Sequence, residues 1–257
     1  MSEKGKKFRE LLKKDKIIIA PGITTPLLAK LVQKNGFELA YLSGTTLSRM
    51  NLYLTDINTV TVEEDLKMLK RINDLIDIPL LVDVDTGTGD TLDAFRTSRV
   101  YSRLGVGGII IGDQKKHKNS DEPDNFRSLT VEEMCAKLKA LIDGTMDPDM
   151  VIVARTDTLA RSGIDEAIAR ANAYADAGAD MVLVEAPSNL AMMKRIPKEV
   201  KVPVLIDLFA HSRTPIVTVA ELEDMGYKIA IYNNAPVQAA LQGAQNLLQH
   251  LKTYGTV

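Results

Sequence analysis

The chain has 257 residues, 45% of them hydrophobic and 26% charged, with 32 Lys+Arg against 34 Asp+Glu and a formal net charge of -2. A length near 250 residues suits one or two domains and includes the single α/β barrel. It supports a core without disulfide or metal staples, and the ordinary composition excludes disorder, collagen and a disulfide scaffold. The near-neutral charge, with 5% aromatics and no Trp, speaks against a nucleic-acid binder or a base-stacking platform.

The opening MSEKGKKFRELLKKDK is basic, but no apolar run of signal-peptide length follows it. Phe8, Leu11 and Leu12 stand at helical spacing and predict a short amphipathic helix packed on the domain. Eight apolar, β-rich runs then recur: Ile17 to Gly22, Leu39 to Gly44, Pro79 to Gly87, Gly107 to Gln114, Met150 to Asp157, Met181 to Pro187, Val202 to Leu208 and Lys228 to Asn234. Most are almost continuously apolar, as strands buried on both faces of a parallel sheet must be. Between them lie helical patterns: Leu27, Leu28, Leu31 and Val32; Leu66, Leu69 and Ile72; Met134, Leu138 and Leu141; Ala167, Ile168, Ala171 and Tyr174. Gly36, Gly178 and Gly226 stop helices before the next run. Eight strands alternating with helices predict one α/β domain over residues 1–257, a closed (β/α)8 TIM barrel with a short N-terminal helix; an open doubly wound sheet is the competitor. No apolar stretch spans a bilayer. The single cysteine, Cys135, sits on a helix as a packing residue, and its solitude suits a reducing, cytoplasmic setting.

In such a barrel the active site lies where the strands end. Those ends supply Ser43 and Gly44, Asp83 and Asp85, Asp113, Arg155 and Asp157, Glu185, Asp207, and Asn233 with Asn234. Asp83 and Asp85 lie two apart in LLVDVDTG, so strand alternation points them the same way. Two inward carboxylates repel unless a cation lies between them. With no adjacent His or Cys, the donor set suits a hard divalent ion, Mg2+ or Mn2+. Arg155 fits a substrate carboxylate, or alternatively an ion pair with Asp157 or a neighbouring strand's acid. Gly87-Thr88-Gly89 reads as a turn allowing close backbone approach. His117 and His211 follow strands and read as surface histidines. The basic run Lys115, Lys116 and Lys118 begins a long polar loop, Lys115 to Ser128, a candidate lid.

FRELL, YLSG, VDVDTGTGD, ARTD, VEAP and the TP after the seventh run together resemble the phosphoenolpyruvate mutase/isocitrate lyase superfamily, in order from about Phe8 to Tyr232. The resemblance implies an (α/β)8 barrel, bound Mg2+, a homo-oligomer, and C–C or P–C chemistry through an enolpyruvate-like intermediate. It implies metal binding by Asp83 and Asp85, with Asp56 in the metal-water network. Ser43, Gly44 and Thr45 would hold the substrate carboxylate and enolate oxygen, Arg155 would bind substrate, and Glu185 would be the acid of the EAP motif. Four positions depart from the family pattern. Gly112 stands where its lyases carry a metal-supporting glutamate, Ser120 replaces the catalytic cysteine, and Asp207 replaces an asparagine of the substrate site. Ala210 likewise replaces a glutamate. The resemblance also implies a further C-terminal helix exchanged between subunits, which the 257 residues are not expected to include.

The first expectation is a cysteine-independent lyase cleaving a C–C bond, or decarboxylating, in a small 2-oxo or 2-hydroxy acid. Lys118 and Ser120 would then close over the substrate, with Arg155 and Glu185 as the other catalytic groups. A Lys118-Asn119-Ser120 segment favours a phosphonic acid substrate and P–C chemistry as the alternative. A non-catalytic ligand-binding homologue is the third reading.

Overall fold

The computed structural model describes residues 2–43, 62–86, 89–115, 128–209 and 212–257, apart from the side chains of 62–65. Eight parallel strands pair in chain order, and the eighth closes on the first. The strands are β1 (Ile18–Ile23), β2 (Ala40–Ser43), β3 (Leu80–Asp83), β4 (Gly108–Gly112), β5 (Val151–Thr156), β6 (Met181–Val184), β7 (Val204–Leu208) and β8 (Ile229–Tyr232). All eight fall inside or within one residue of the expected runs, and closure excludes the open sheet. The described helices are α1 (Glu3–Leu12), α2 (Pro26–Lys34), α3 (Val62–Leu75), α4 (Thr91–Leu104), α5 (Val131–Gly144), α6 (Leu159–Asp176), α7 (Leu190–Glu199), α8 (Val219–Met225) and α9 (Ala235–Tyr254).

Period-two alternation sorts the strand residues into two cores. Inward residues, among them Tyr41, Leu81, Ile110, Val153, Leu183, Leu205 and Ile231, fill the barrel. Outward ones, such as Leu42, Ile109, Ile152, Val182 and Ile206, pack beneath the helices. This double burial is why the runs read as continuously apolar. The N-terminal helix joins the inner core: Phe8 and Leu11 of α1 plug the barrel's N-terminal end. A Cβ on Gly108 would lie 3.0 Å from the Phe8 ring and 2.7 Å from the Val151 carbonyl, so the plug needs glycine there. Arg9 pins the helix from outside through Asp180, 2.9 Å away.

The expected helical faces of α3, α5 and α6 are buried at Leu69 and Ile72, at Met134, Leu138 and Leu141, and at Ala167, Ile168, Ala171 and Tyr174. On α2 the buried face is Ala29 and Val32, with Leu28 partly covered, whereas Leu27 and Leu31 are exposed. Spacing had grouped all four apolar residues, but 100° per residue leaves Leu27 and Leu31 on a separate stripe. Gly226 has φ of 100° and ends α8 in the left-handed conformation that favours glycine. No helix among the described residues is long and apolar enough to cross a membrane.

Candidate active site

Carried two residues beyond the last inward apolar layer, the alternation brings eight residues to the C-terminal mouth. They are Gly22, Ser43, Asp83, Gly112, Arg155, Glu185, Asp207 and Asn233, one from each strand or its end. Five of the eight carry a charge or an amide, directly above a wholly apolar interior.

Arg155 organises this layer. Its Nε and Nη2 grip both Asp157 oxygens, the shortest contact being 2.6 Å. Its Nη1 donates to Asp83 Oδ2 at 3.2 Å, and Nε lies 3.7 Å from Glu185 Oε2. Burial works against its charge, yet Asp157, Glu185 and Asp83 outweigh it and hold the pKa well above the ordinary arginine value. The Tyr41 hydroxyl also donates to Asp83 Oδ2, at 3.2 Å. Burial, then Asp83, push the tyrosine pKa well up, so it remains a donor. The ion pairs left open by sequence as the alternative role of Arg155 are therefore present in the structure.

Asp85 corrects the strand argument. β3 ends at Asp83, and Asp85 sits in the following turn with φ of 49°, so alternation does not aim its side chain. Its N–H donates to Asp83 Oδ1 at 2.8 Å, and its carbonyl accepts from Gly112 N at 2.6 Å. Among the described residues, the Asp83 carboxylate is met by the Arg155 guanidinium and the Tyr41 hydroxyl. Asp85 still lines the mouth, sharing a cavity of about 10 Å3 with Thr86, Gly112, Gln114, Arg155 and Asp157, room for roughly one water. The missing side chain of Gly112 opens this gap: a Cβ there would sit 3.3 Å from the Asp85 carbonyl and 3.6 Å from Asp157 Oδ2.

Asp113 is corrected too. It follows inward Gly112, faces outward and is fully buried, so it is not part of the mouth. Its Oδ1 accepts from Asp157 N at 3.0 Å, while Oδ2 accepts from Thr156 Oγ1 at 2.7 Å and Tyr174 OH at 2.8 Å. Arg170 lies 3.6 Å away and also donates to the Leu129 carbonyl. Burial raises the Asp113 pKa, against the lowering by the Asp157 N–H. Tyr41, Thr156 and Arg170 were not singled out by sequence, and Tyr174 only as part of a buried helix face; the alternation of β2 and β5 was the available signal for the first two.

Asp207 faces the mouth from β7 and is 6% exposed. Oδ2 accepts from Asn233 Nδ2 at 3.0 Å, while Oδ1 is buried without a hydrogen bond. Cys135 is half-buried on α5, its thiol pKa raised by burial, and its Sγ lies 3.6 Å from the Ala173 carbonyl, as a packing residue should. Gly44, Thr45, Asp56, Gly87, Thr88, Lys116, His117, Lys118, Ser120, Ala210 and His211 lie outside the described residues. A larger cleft of about 590 Å3 opens at the opposite end of the barrel, beside α1. Its lining mixes Lys4, Lys7 and Arg103 with Asp74, Asp77 and Asp147 and lies at the N-terminal ends of the strands, away from where barrel enzymes do chemistry.

The mouth fits a divalent ion by charge. Asp83, Asp157, Glu185 and Asp207 face one guanidinium, so the described layer carries excess negative charge even before Asp85 is added. No group of three or more His, Cys, Asp or Glu converges as a metal cage among the described residues. An ion held by one or two carboxylates, keeping water or substrate oxygens elsewhere, suits such an open site.

Comparison with known proteins gives the same direction. The sequence model of the phosphoenolpyruvate phosphomutase family matches residues 8–252. The 2,3-dimethylmalate lyase of Eubacterium barkeri is 35% identical over 250 residues, covering 97% of this chain and 86% of that protein. A structure of oxaloacetate acetylhydrolase with the inhibitor 3,3-difluorooxalacetate superposes with a TM-score of 0.92 at 28% identity, over 100% of this chain and 89% of the other. Phosphonopyruvate hydrolase with oxalate and Mg2+ superposes with a TM-score of 0.87 at 27% identity, over 99% and 88%.

Proposed function

Because the chain belongs to the phosphoenolpyruvate mutase/isocitrate lyase superfamily, we propose that its mouth performs carbon–carbon lysis on a small 2-oxo or 2-hydroxy acid. The chain is a carbon–carbon lyase by family, and the reading of its site rests on one observation. A buried guanidinium, Arg155, stands among Asp83, Asp157 and Glu185 at the strand ends. Asp83 and Asp85 would hold Mg2+ or Mn2+, with Asp56 in its water network. Bound there, the ion supplies Lewis-acid stabilisation of a developing enolate oxygen. With Asp83 engaged, Arg155 Nη1 is left to a substrate carboxylate, while Asp157 keeps the fork oriented by its bidentate grip. Ser43, buried at the mouth, with Gly44 and Thr45 would cradle the carboxylate and enolate, and Lys118, Ser120 and Glu185 would complete the site. The Mg2+ assignment draws on the donor chemistry and on the Mg2+ and oxalate in the phosphonopyruvate hydrolase structure.

Calorimetric titration of oxalate with Mg2+ or Mn2+ tests this. Metal-dependent binding that Asp85→Ala abolishes supports it; no binding, or an Asp85→Ala variant matching wild type, overturns the metal site. Assays of oxaloacetate, substituted malates, methylisocitrate and phosphonopyruvate for pyruvate release then separate C–C lysis from P–C hydrolysis. The second reading, P–C chemistry, has Lys118-Asn119-Ser120 and the phosphonopyruvate hydrolase likeness in its favour.

We place the whole chain in one catalytic domain and, from its lone cysteine, in the cytoplasm. We propose a homo-oligomer joined through α9, where Leu241, Leu248 and Leu251 form an exposed apolar stripe of the kind that marks contact surfaces. Sedimentation of Leu248→Glu tests it: an unchanged mass excludes that stripe.

A further inference from the structure

Asp207 and Glu185 stand side by side at the mouth. Leu183 is level with Leu205 in the β6–β7 ladder, and each acid lies two residues beyond its partner of that pair on the inward face. Asp207 is buried, and its two oxygens differ. Oδ2 takes the Asn233 amide at 3.0 Å, whereas Oδ1 is buried with no hydrogen bond. A buried ionised carboxylate with one bare oxygen is costly; a neutral carboxylic acid able to offer that O–H to an incoming ligand costs less. The nearby charge points the same way. Among the described residues the charged groups acting on Asp207 are Glu185, Arg155 and Asp83, with the Asn233 amide bonded to it and the Tyr41 phenol facing it from β2; the one cation among them is already gripped by Asp157 and Asp83.

From this arrangement we propose that Asp207 and Glu185 share one proton at neutral pH, and that Asp207 is the general acid of the lysis. The proposal rests on the lyase reading above. Burial, then the neighbouring Glu185, push the Asp207 carboxyl well above the ordinary carboxylate range, the pattern of like-charged acid pairs tuned apart. In cleavage of a 2-hydroxy acid, the substrate hydroxyl proton passes to the Glu185 carboxylate as the C=O forms. The C–C bonding pair stays on the departing carbon as an enolate, and the Asp207 proton is delivered to that carbon. One proton enters the pair and one leaves, so no oxidant, reductant or further reactant is needed. The site thereby has an acid without a thiol.

The test is infrared spectroscopy of the full chain labelled with 13C-carboxyl aspartate, titrated from acid to alkaline pH, beside steady-state lysis of the substituted malates. Wild type is expected to show a protonated aspartate band at pH 7 that Asp207→Asn lacks, and Glu185→Gln to move its titration to lower pH. Lysis by Asp207→Asn is expected to fall in kcat by about 100-fold or more, with Mn2+-dependent oxalate affinity retained within about threefold. Absence of the band in wild type, which needs no variant to fold, overturns the proposal. So does unchanged kcat, or loss of Mn2+ binding in Asp207→Asn, which would make Asp207 a metal ligand. A wild-type chain that cleaves none of the acids overturns the lyase reading, while the band and its response to Glu185→Gln still decide the shared proton.

Discussion

Replacing Arg155 by Met keeps much of the side-chain volume and removes the guanidinium that, among the described residues, touches Asp83, Asp157 and Glu185. The Asp157 contacts at 2.6 to 3.1 Å and the Asp83 contact at 3.2 Å are lost together, leaving acids uncompensated in a buried layer. Breaking one buried pair costs about 3–5 kcal/mol because the partner remains charged and desolvated. The upper end applies here, since three acids share the cation and Tyr41 is left as a neutral donor to Asp83. For a chain of this size, that predicts a fall in Tm of about 10 °C or more at neutral pH. The loss should shrink on adding Mg2+, which supplies counter-charge to the stranded carboxylates. Far-UV circular dichroism is the assay, because the chain has no Trp. A Tm unchanged at pH 7, or a deficit that Mg2+ leaves unreduced, would refute the idea that Arg155 neutralises this layer.

Three further outcomes follow from the same geometry. Gly22→Ala would place a Cβ 1.5 Å from the Asn233 carbonyl oxygen, where β1 meets the end of β8; a loss above about 4 kcal/mol, or insoluble protein, is expected on expression. Asp113→Ala strands the Asp157 N–H and the Thr156 and Tyr174 hydroxyls, and urea unfolding should report a loss of about 3 kcal/mol or more, with Asp113→Asn milder. Asp207 and Asp113 both have raised folded-state pKa values, so the stability they contribute is full below the ordinary carboxylate value and lost as pH rises through their own. Metal-free protein should therefore lose up to about 1.4 kcal/mol per pH unit per group in that window. Asp207→Asn should flatten its share, and a variant curve parallel to wild type would falsify that sign.

The barrel was readable because a parallel strand buried on both faces leaves an unmistakable apolar run, and eight such runs alternate with helical patterns. Even the plug was signalled, by Phe8 and Leu11 at helical spacing. The mouth was only half readable. Asp83, Arg155, Glu185 and Asp207 could be picked out as polar ends of apolar strands, yet Asp113 in the same pattern turned outward. Asp85 escaped the alternation because β3 stops two residues before it.

Sequence alone therefore determined the number of strands, their direction and the stretches of chain that end at the mouth, since these depend on periodicity and on local burial preference. Partnership was decided only by tertiary structure. That Arg155 is shared by acids from β3, β5 and the end of β6, that Asp113 anchors Asp157 from outside the barrel, and that one Asp207 oxygen is left bare beside Glu185 all depend on strands distant in the chain arriving at one level. Closure of the barrel sets that register, and electrostatics between groups so assembled has no local signature in the chain.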